Sequence, residues 1–374
     1  MRIFTIHGAS IHEIASLDQL AANHLANGSY WWIACAHDEF GTHQKEVQAA
    51  LHALCGIQLF DLHVSDLLNP YLPSHYDYTN QYDIMVFRRL SAHGERREAA
   101  PNTAPRRSLF RRCGGPPILK KIDTTPIGFV ILDNVLVSVH PPACAIQHET
   151  LSRLTNDSAS ETRTTSGRPP SSPADLMLRM AGLIVDGYLE LRRELSHQLD
   201  RWQSELLDPG SRFDNWGAML DARLTLHYLD EICDDQRTAI QDWIEAVNMW
   251  PEATSPQALR ERDLLQVRSR DVLEHIERVS HHVRRLEHSA ETAVQMHFNA
   301  QGHRTNNIMR TLTTLTAIFL PLNLIAAIFG MNFDSLPLVH RHEGFWWATG
   351  AMLVIALVLS IFFWRKSYLS RSNR

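Results

Sequence analysis

The stretch Ile325-Ala326-Ala327-Ile328-Phe329-Gly330-Met331-Asn332-Phe333 decides how the rest of this chain is read. It closes an apolar run from Ala317 to Phe329, approached from Met309, whose one charge is Arg310. A short loop later, Phe345 to Trp364 forms a second run with no charge at all. Each approaches the ~20 residues that a helix needs to cross bilayer hydrocarbon. Two spans joined through Gly330-Met331-Asn332 make a tight hairpin, which points to moving something across the membrane.

Basic flanks set the orientation. Arg304 and Arg310 precede the first span, and Arg365, Lys366, Arg371 and Arg374 follow the second. The loop from Asn332 to Gly344 carries Arg341, balanced by Asp334 and Glu343. Positive charge stays inside, so both termini are expected in the cytoplasm of a multi-pass protein of the cell inner membrane.

A chain of 374 residues has room for two or three structural units. Its net charge of −5 gives no basic face for nucleic acid. Cys35, Cys55, Cys113, Cys144 and Cys233 are scattered, with no metal-type spacing, so a reduced compartment and no structural zinc are expected. Met1-Arg2-Ile3 opens onto a strand-like run, not a secretory apolar segment. There is no phosphate-binding Gly-x-x-x-x-Gly-Lys and no nucleophile–base signature, so the reading is of a protein that is not an enzyme and holds no cofactor.

Working back from the hairpin, Val272, Ile276, Val279, Val283, Leu286, Ala290 and Ala293 recur at steps of four and three. This heptad stripe favours packing against another helix or copies of itself. A helix from Gln257 to Phe329 would be roughly 110 Å long, and self-association is the simplest way to bury it. Upstream, residues 1–155 alternate β-rich runs (Arg2–Ile6, Tyr30–Cys35, Tyr82–Phe87, Ile127–Leu132, Val135–Val139) with helices over Gln44–Cys55 and Leu62–Leu68. The pair split by Asp133-Asn134 reads as a hairpin.

The expected organisation is a cytoplasmic α/β domain over 1–155, a flexible linker over 156–173, a helical pair over 174–250 and a stalk helix over 257–308. Then follow a pore-lining span over 309–330, an outer loop over 331–344, a second span over 345–364 and a basic tail over 365–374. The Arg-rich segment His93 to Pro117 reads as a solvated loop.

The first span is not a bland anchor. Thr311, Thr313, Thr314, Thr316 and Asn323 give it polarity. Met309, Leu312, Thr316, Leu320, Asn323, Ala327 and Gly330 share one helical face, which can surround a common axis. Intramembrane amides face protein or water, and hydrogen bonding between helices is the plainer use of the same residues. A ring of Asn332 amides suits a cation that keeps its waters, as Mg²⁺ does. Equally, Gly330 and Asn332 could do no more than end the helix in a left-handed turn.

Thr305-Asn306-Asn307-Ile308-Met309, Phe319-Leu320-Pro321-Leu322 and Ile325 to Phe333 together closely resemble the CorA family of divalent-cation transport proteins. Arg270-Asp271-Val272 at the start of the heptad stripe also looks like that family's stalk, and so does Asp66-Leu67-Leu68-Asn69 ahead of the Tyr82–Phe87 strand. The resemblance implies an α+β membrane protein shaped as that family's funnel, with a cytoplasmic α/β/α domain, a long stalk helix and two C-terminal spans. It implies a homopentamer embedded in lipid that carries hydrated Mg²⁺, and also Co²⁺ and Ni²⁺, through a selectivity ring of Gly330, Met331 and Asn332. Asn306 and Asn323 would add polar rings, and Met309 and Leu312 a hydrophobic gate. Asp271 falls at the family's position for a regulatory Mg²⁺, whose partner acid would lie within 91–115. Asn323 stands where Thr is usual, and the loop reads Pro337-Leu338-Val339 where an acid is usual, leaving Asp334 and Glu343 to make the outer mouth negative. His340 and His342 raise Zn²⁺ as an alternative cargo, as in a zinc-transporting branch of the superfamily. A membrane-anchored cytosolic scaffold without transport is the alternative of another class.

Overall fold

The computed structural model describes residues 1–17, 19–20, 25, 28–91, 122–142, 144–159, 169–207, 216–251, 255–331 and 344–365. The chain divides into two compact units, Met1–Thr292 and Ala293–Arg374.

The first unit is built on a seven-stranded mixed sheet in the order β2-β1-β3-β7-β6-β5-β4. The strands are β1 (Arg2–His7), β2 (Ser10–Ile14), β3 (Ser29–Ala36), β4 (His75–Tyr78), β5 (Asp83–Leu90), β6 (Thr124–Ile131) and β7 (Val135–His140). Among these strands only β3 and β7 pair in parallel. The hairpin read at Asp133-Asn134 is present: Ile131 faces Leu136, and Leu132 N–H donates to Val135 O at 2.9 Å.

Helices cover both faces, which is why β3 is apolar without alternation and buried along nearly its whole length. On one face Ile33, Ile84, Val130, Val137 and Val139 share a core with α1 (His37–Thr42), α2 (Gln44–Cys55) and α3 (Asp61–Leu68). There α3 comes so close to β6 that a Cβ on Gly128 would overlap the Leu67 side chain. On the other face Trp32, Phe87, Phe129 and Leu136 lie under α5 (Pro173–Leu207) and α6 (Trp216–Met249). Because β4 begins only at His75, Arg88 lies past the end of the ladder. Ser74 Oγ accepts its N–H (3.0 Å), while Tyr188 Oη and Gln236 Nε2 donate to its carbonyl (3.1 and 2.7 Å). Helix α4 (Ala145–Ala159) runs four residues past position 155, into the stretch read as linker.

Helix α7 runs from Pro256 to Phe329 without interruption. Like α5, it starts with proline after a serine cap: Ser255 Oγ accepts Ala258 N–H (3.1 Å) and Ser172 Oγ accepts Asp175 N–H (3.3 Å). The heptad residues from Val272 to Ala290 are all buried within this one chain. Polar ties flank the stripe. Arg284 pairs with Asp230 and Asp234, Ser280 Oγ donates to Asp230, and Trp243 Nε1 donates to Ser269 Oγ. His282 is half-buried, with its Nε2 2.7 Å from Ser196 Oγ. The stripe therefore packs against the chain's own helices, and needs no second copy to cover it.

At the start of these helices Asp175 is wholly buried. It lies 2.6 Å from Arg268 Nε, too oblique for a hydrogen bond, and 3.5 Å from Arg179, and it accepts Ser171 N–H at 3.1 Å. The second unit holds the end of α7 and α8 (Gly344–Arg365).

Candidate functional site

Two helices, the C-terminal part of α7 and all of α8, are long and apolar enough to cross a membrane. Within the chain they are covered along one stripe each. On α7 the stripe is Thr314, Ile318, Pro321, Ile325 and Phe329; on α8 it is Ala348, Met352, Ile355, Leu359 and Phe363. Both stripes lie in the second unit, and we take them to be the seam between the two helices. At 100° per residue the seam of α7 lies opposite the face that carries Met309, Leu312, Thr316, Leu320, Asn323 and Ala327. That face is bare: Met309, Leu312 and Leu320 are 58%, 56% and 68% exposed. Asn306, flanking it, is exposed too. Thr314, expected among the polar surface, is instead 2% exposed in the seam.

The threonines are satisfied locally. The hydroxyls of Thr311, Thr313, Thr314 and Thr316 each donate to the carbonyl four residues back, at 2.8–2.9 Å. Each oxygen is left as an acceptor, so Thr316 offers lone pairs, not a proton, to whatever faces it. Pro321 sits inside the helix and, lacking N–H, leaves the Ala317 carbonyl without its donor.

Gly330 ends the helix in a particular way. Its N–H is shared between Ala326 O (2.9 Å) and Ala327 O (3.2 Å), and Met331 N–H reaches Ile328 O (3.3 Å), so the last turn tightens. Gly330 is not among the positive-φ glycines, and a Cβ there would sit 3.2 Å from Ala326 O. Gly330 therefore does not take the left-handed conformation weighed from sequence, and a Cβ there would make only a tight contact with the Ala326 carbonyl. Asn332, Asp334, His340, His342 and Glu343 lie outside the described residues, as does 92–115, where the partner acid for Asp271 was expected.

Asp271, on α7 within the first unit, is exposed. Its carboxylate lies 3.8 Å from His275 Nε2, and His275 Nδ1 lies 3.9 Å from Asp186 on α5. No local pattern marks Asp186, because helices far apart in the chain bring it there. Among the described residues no three His, Cys, Asp or Glu side chains group closely enough to hold a metal. A regulatory ion therefore has no closed ligand set in one chain's described residues.

A mixed sheet between helices, one very long helix and a terminal hairpin of candidate spans define a membrane-protein class with a built-in stalk. The family profile of CorA-like Mg²⁺ transporter proteins matches residues 117–366, and the chain belongs to that family. Its relatives include the cobalt/magnesium transport protein CorA of Thermotoga maritima, 24% identical over 194 residues, 52% of each chain. The magnesium transport protein CorA of Haemophilus influenzae is 33% identical over 101 residues, 27% of this chain and 32% of that one. The chain thus spans about half the length of the first relative and about a third of the second. The complete structure of the CorA magnesium transporter of Methanocaldococcus jannaschii superposes with a TM-score of 0.70 at 17% identity, covering 99% of each chain. That likeness is one of fold.

Proposed function

We propose that this chain is the subunit of a homopentameric channel that lets hydrated divalent cations, Mg²⁺ first and also Co²⁺ and Ni²⁺, into the cytoplasm across the cell inner membrane. The observation that carries this reading is the bare face of α7. It lies opposite the seam with α8, alternates apolar Met309, Leu312 and Leu320 with polar Thr316 and Asn323, and runs into Gly330-Met331-Asn332. Lipid would penalise the Asn323 amide, whereas a shared water-filled axis would not.

The chemistry suits a cation that arrives with its waters. Mg²⁺ dehydrates reluctantly, and its bound waters are strong hydrogen-bond donors. Amide oxygens of Asn332 and Asn323, with Thr316 hydroxyls already donating to their own helix, present acceptors to that water shell. Met309 and Leu312, one turn apart on the same face, form apolar rings that stop ions by dewetting when they close in. Asp334 and Glu343 would draw cations to the outer mouth. Regulation by cytoplasmic Mg²⁺ at Asp271 would need ligands from outside the described residues or from a second subunit.

The test is ion flux into proteoliposomes containing the purified protein, with Mg²⁺ and Zn²⁺ dyes in parallel and a pH gradient on or off. Mg²⁺ entry that is independent of pH and lost in Asn332→Ala, with expression and assembly intact, is the expected result. Zn²⁺ entry alone, driven by protons, would move the cargo to zinc. No flux of either ion would leave a membrane-anchored scaffold.

A further inference from the structure

Away from the ion path, the first unit holds a cavity of about 720 Å³ where the ends of β4, β5 and β6 meet the ends of three helices. Its size is that of a small-molecule site, well beyond a single metal ion. One wall is aromatic. Tyr76 and Tyr78 stack with ring centres 6.1 Å apart, and Trp250 offers a second surface, held edge-to-face on buried Trp243 at 5.9 Å. Tyr82 closes the floor, its hydroxyl already bonded to Phe60 N–H and 2.8 Å from His63 Nδ1.

Three carboxylates reach the cavity from three separate elements: Asp83 from β5, Asp133 from the β6–β7 turn and Glu261 from α7. Among the described residues that line it, Arg262 is the cation, and it is engaged, donating to the Asn248 carbonyl at 2.6 Å. The Tyr76 hydroxyl donates to Asp83 at 2.7 Å, holding a carboxylate beside an aromatic face. Burial pushes the Asp83 carboxyl above the ordinary carboxylate range; the Tyr76 hydrogen bond opposes this and Asp133 adds repulsion. A positive group placed here would relieve that repulsion and lie over a negative ring face.

The arrangement also says which kind of cation. These carboxylates belong to no group of three tight enough for a metal. A compact dication could not gather all three, and neither could a quaternary ammonium ion. Several charges spaced along an alkyl chain could meet all three while laying their methylenes against the rings. We propose that this cavity binds a linear aliphatic polyamine, its ammonium groups at Asp83, Asp133 and Glu261 and its stem along Tyr76, Tyr78 and Trp250.

The experiment is calorimetric titration of the purified full-length protein in detergent with spermidine, choline and MgCl₂ in separate runs. Spermidine should bind saturably at one per chain, with choline and Mg²⁺ weaker by tenfold or more. Asp133→Asn and Glu261→Gln, isosteric changes in an exposed turn and an early helical turn, should each weaken spermidine by about fivefold, the size of a solvent-accessible ion pair. Tyr78→Ala should weaken it by about threefold and Tyr78→Phe hardly at all. Unchanged melting temperatures would show the variants are folded. Absence of spermidine binding, equal affinity in the Asp133→Asn/Glu261→Gln double variant, or choline binding as tightly as spermidine would each overturn the proposal. Because the readout is binding, its failure leaves the flux result untouched, and the reverse holds too.

Discussion

Replacing Asp175 by asparagine isolates what one buried charge does at the start of the stalk. The side chain is 0% exposed, and its carboxylate faces Arg268 at 2.6 Å and Arg179 at 3.5 Å, whose side chains are 27% and 18% exposed. Asparagine keeps the shape and the acceptor for Ser171 N–H but removes the charge. Two largely desolvated guanidinium groups would then face each other without their shared counterion. Breaking a buried pair from one side costs about 3 kcal/mol, which lowers the folded-to-unfolded ratio by roughly 150-fold. For a unit of this size the melting temperature should fall by about 6 °C. Fluorescence of the buried Trp32 and Trp243 reports the transition in detergent. In the Asp175→Asn background, Arg268→Met should recover part of the loss, since it removes the stranded charge and keeps the packing of its stem. A fall of a degree or less, or strict additivity of the two substitutions, would refute the account.

Three other outcomes are expected. Burial first, then the neighbouring His140, push the His37 imidazole down to about 4. The unfolded chain therefore takes up a proton near pH 6.5 that the folded chain refuses. Stability is full above that pH and declines by roughly 3 kcal/mol as the pH falls from 6.5 towards 4. Urea midpoints at pH 7.5 and 5 should differ, and less so in His37→Gln; an equal difference would remove His37 from the cause. Gly330→Ala places a methyl 3.2 Å from the Ala326 carbonyl, so Mg²⁺ flux should drop while assembly on native gels persists, and wild-type flux would show that the close approach is dispensable. Asp271→Lys should leave flux less sensitive to internal Mg²⁺, and an unaltered inhibition curve would take Asp271 out of regulation.

The parts that were legible from sequence are those with a strong period or a hard boundary. The heptad stripe, the two apolar spans and the Asp133-Asn134 turn all repeat or punctuate clearly. The edge strands β2 (Ser-Ile-His-Glu-Ile) and β4 (His-Tyr-Asp-Tyr) did not show, because edge strands are mostly solvated and carry little alternation. What the stripe packs against was open, since a heptad reads the same toward a neighbour helix of the same chain or of another copy. At the site, the bare face of α7 was readable from spacing alone. The seam that buries Thr314 was not, because its composition of threonine, isoleucine, proline and phenylalanine looks like any lipid-facing surface. Asp186 beside His275 is a tertiary juxtaposition with no local signature.

The back-bonded threonines of α7 also bear on how such a protein is made. A hydroxyl that donates to its own helix asks nothing of a neighbour, and the seam between α7 and α8 is completed by a single polypeptide. On the proposed reading, one hairpin can therefore enter the bilayer alone and persist there, with the Asn323 amide and the Ala317 carbonyl still seeking partners in the hydrocarbon. Insertion and assembly become separable events in biogenesis. On the proposed pentameric reading, the first is driven by apolar length, and the second by a few polar atoms that become satisfied when further copies arrive.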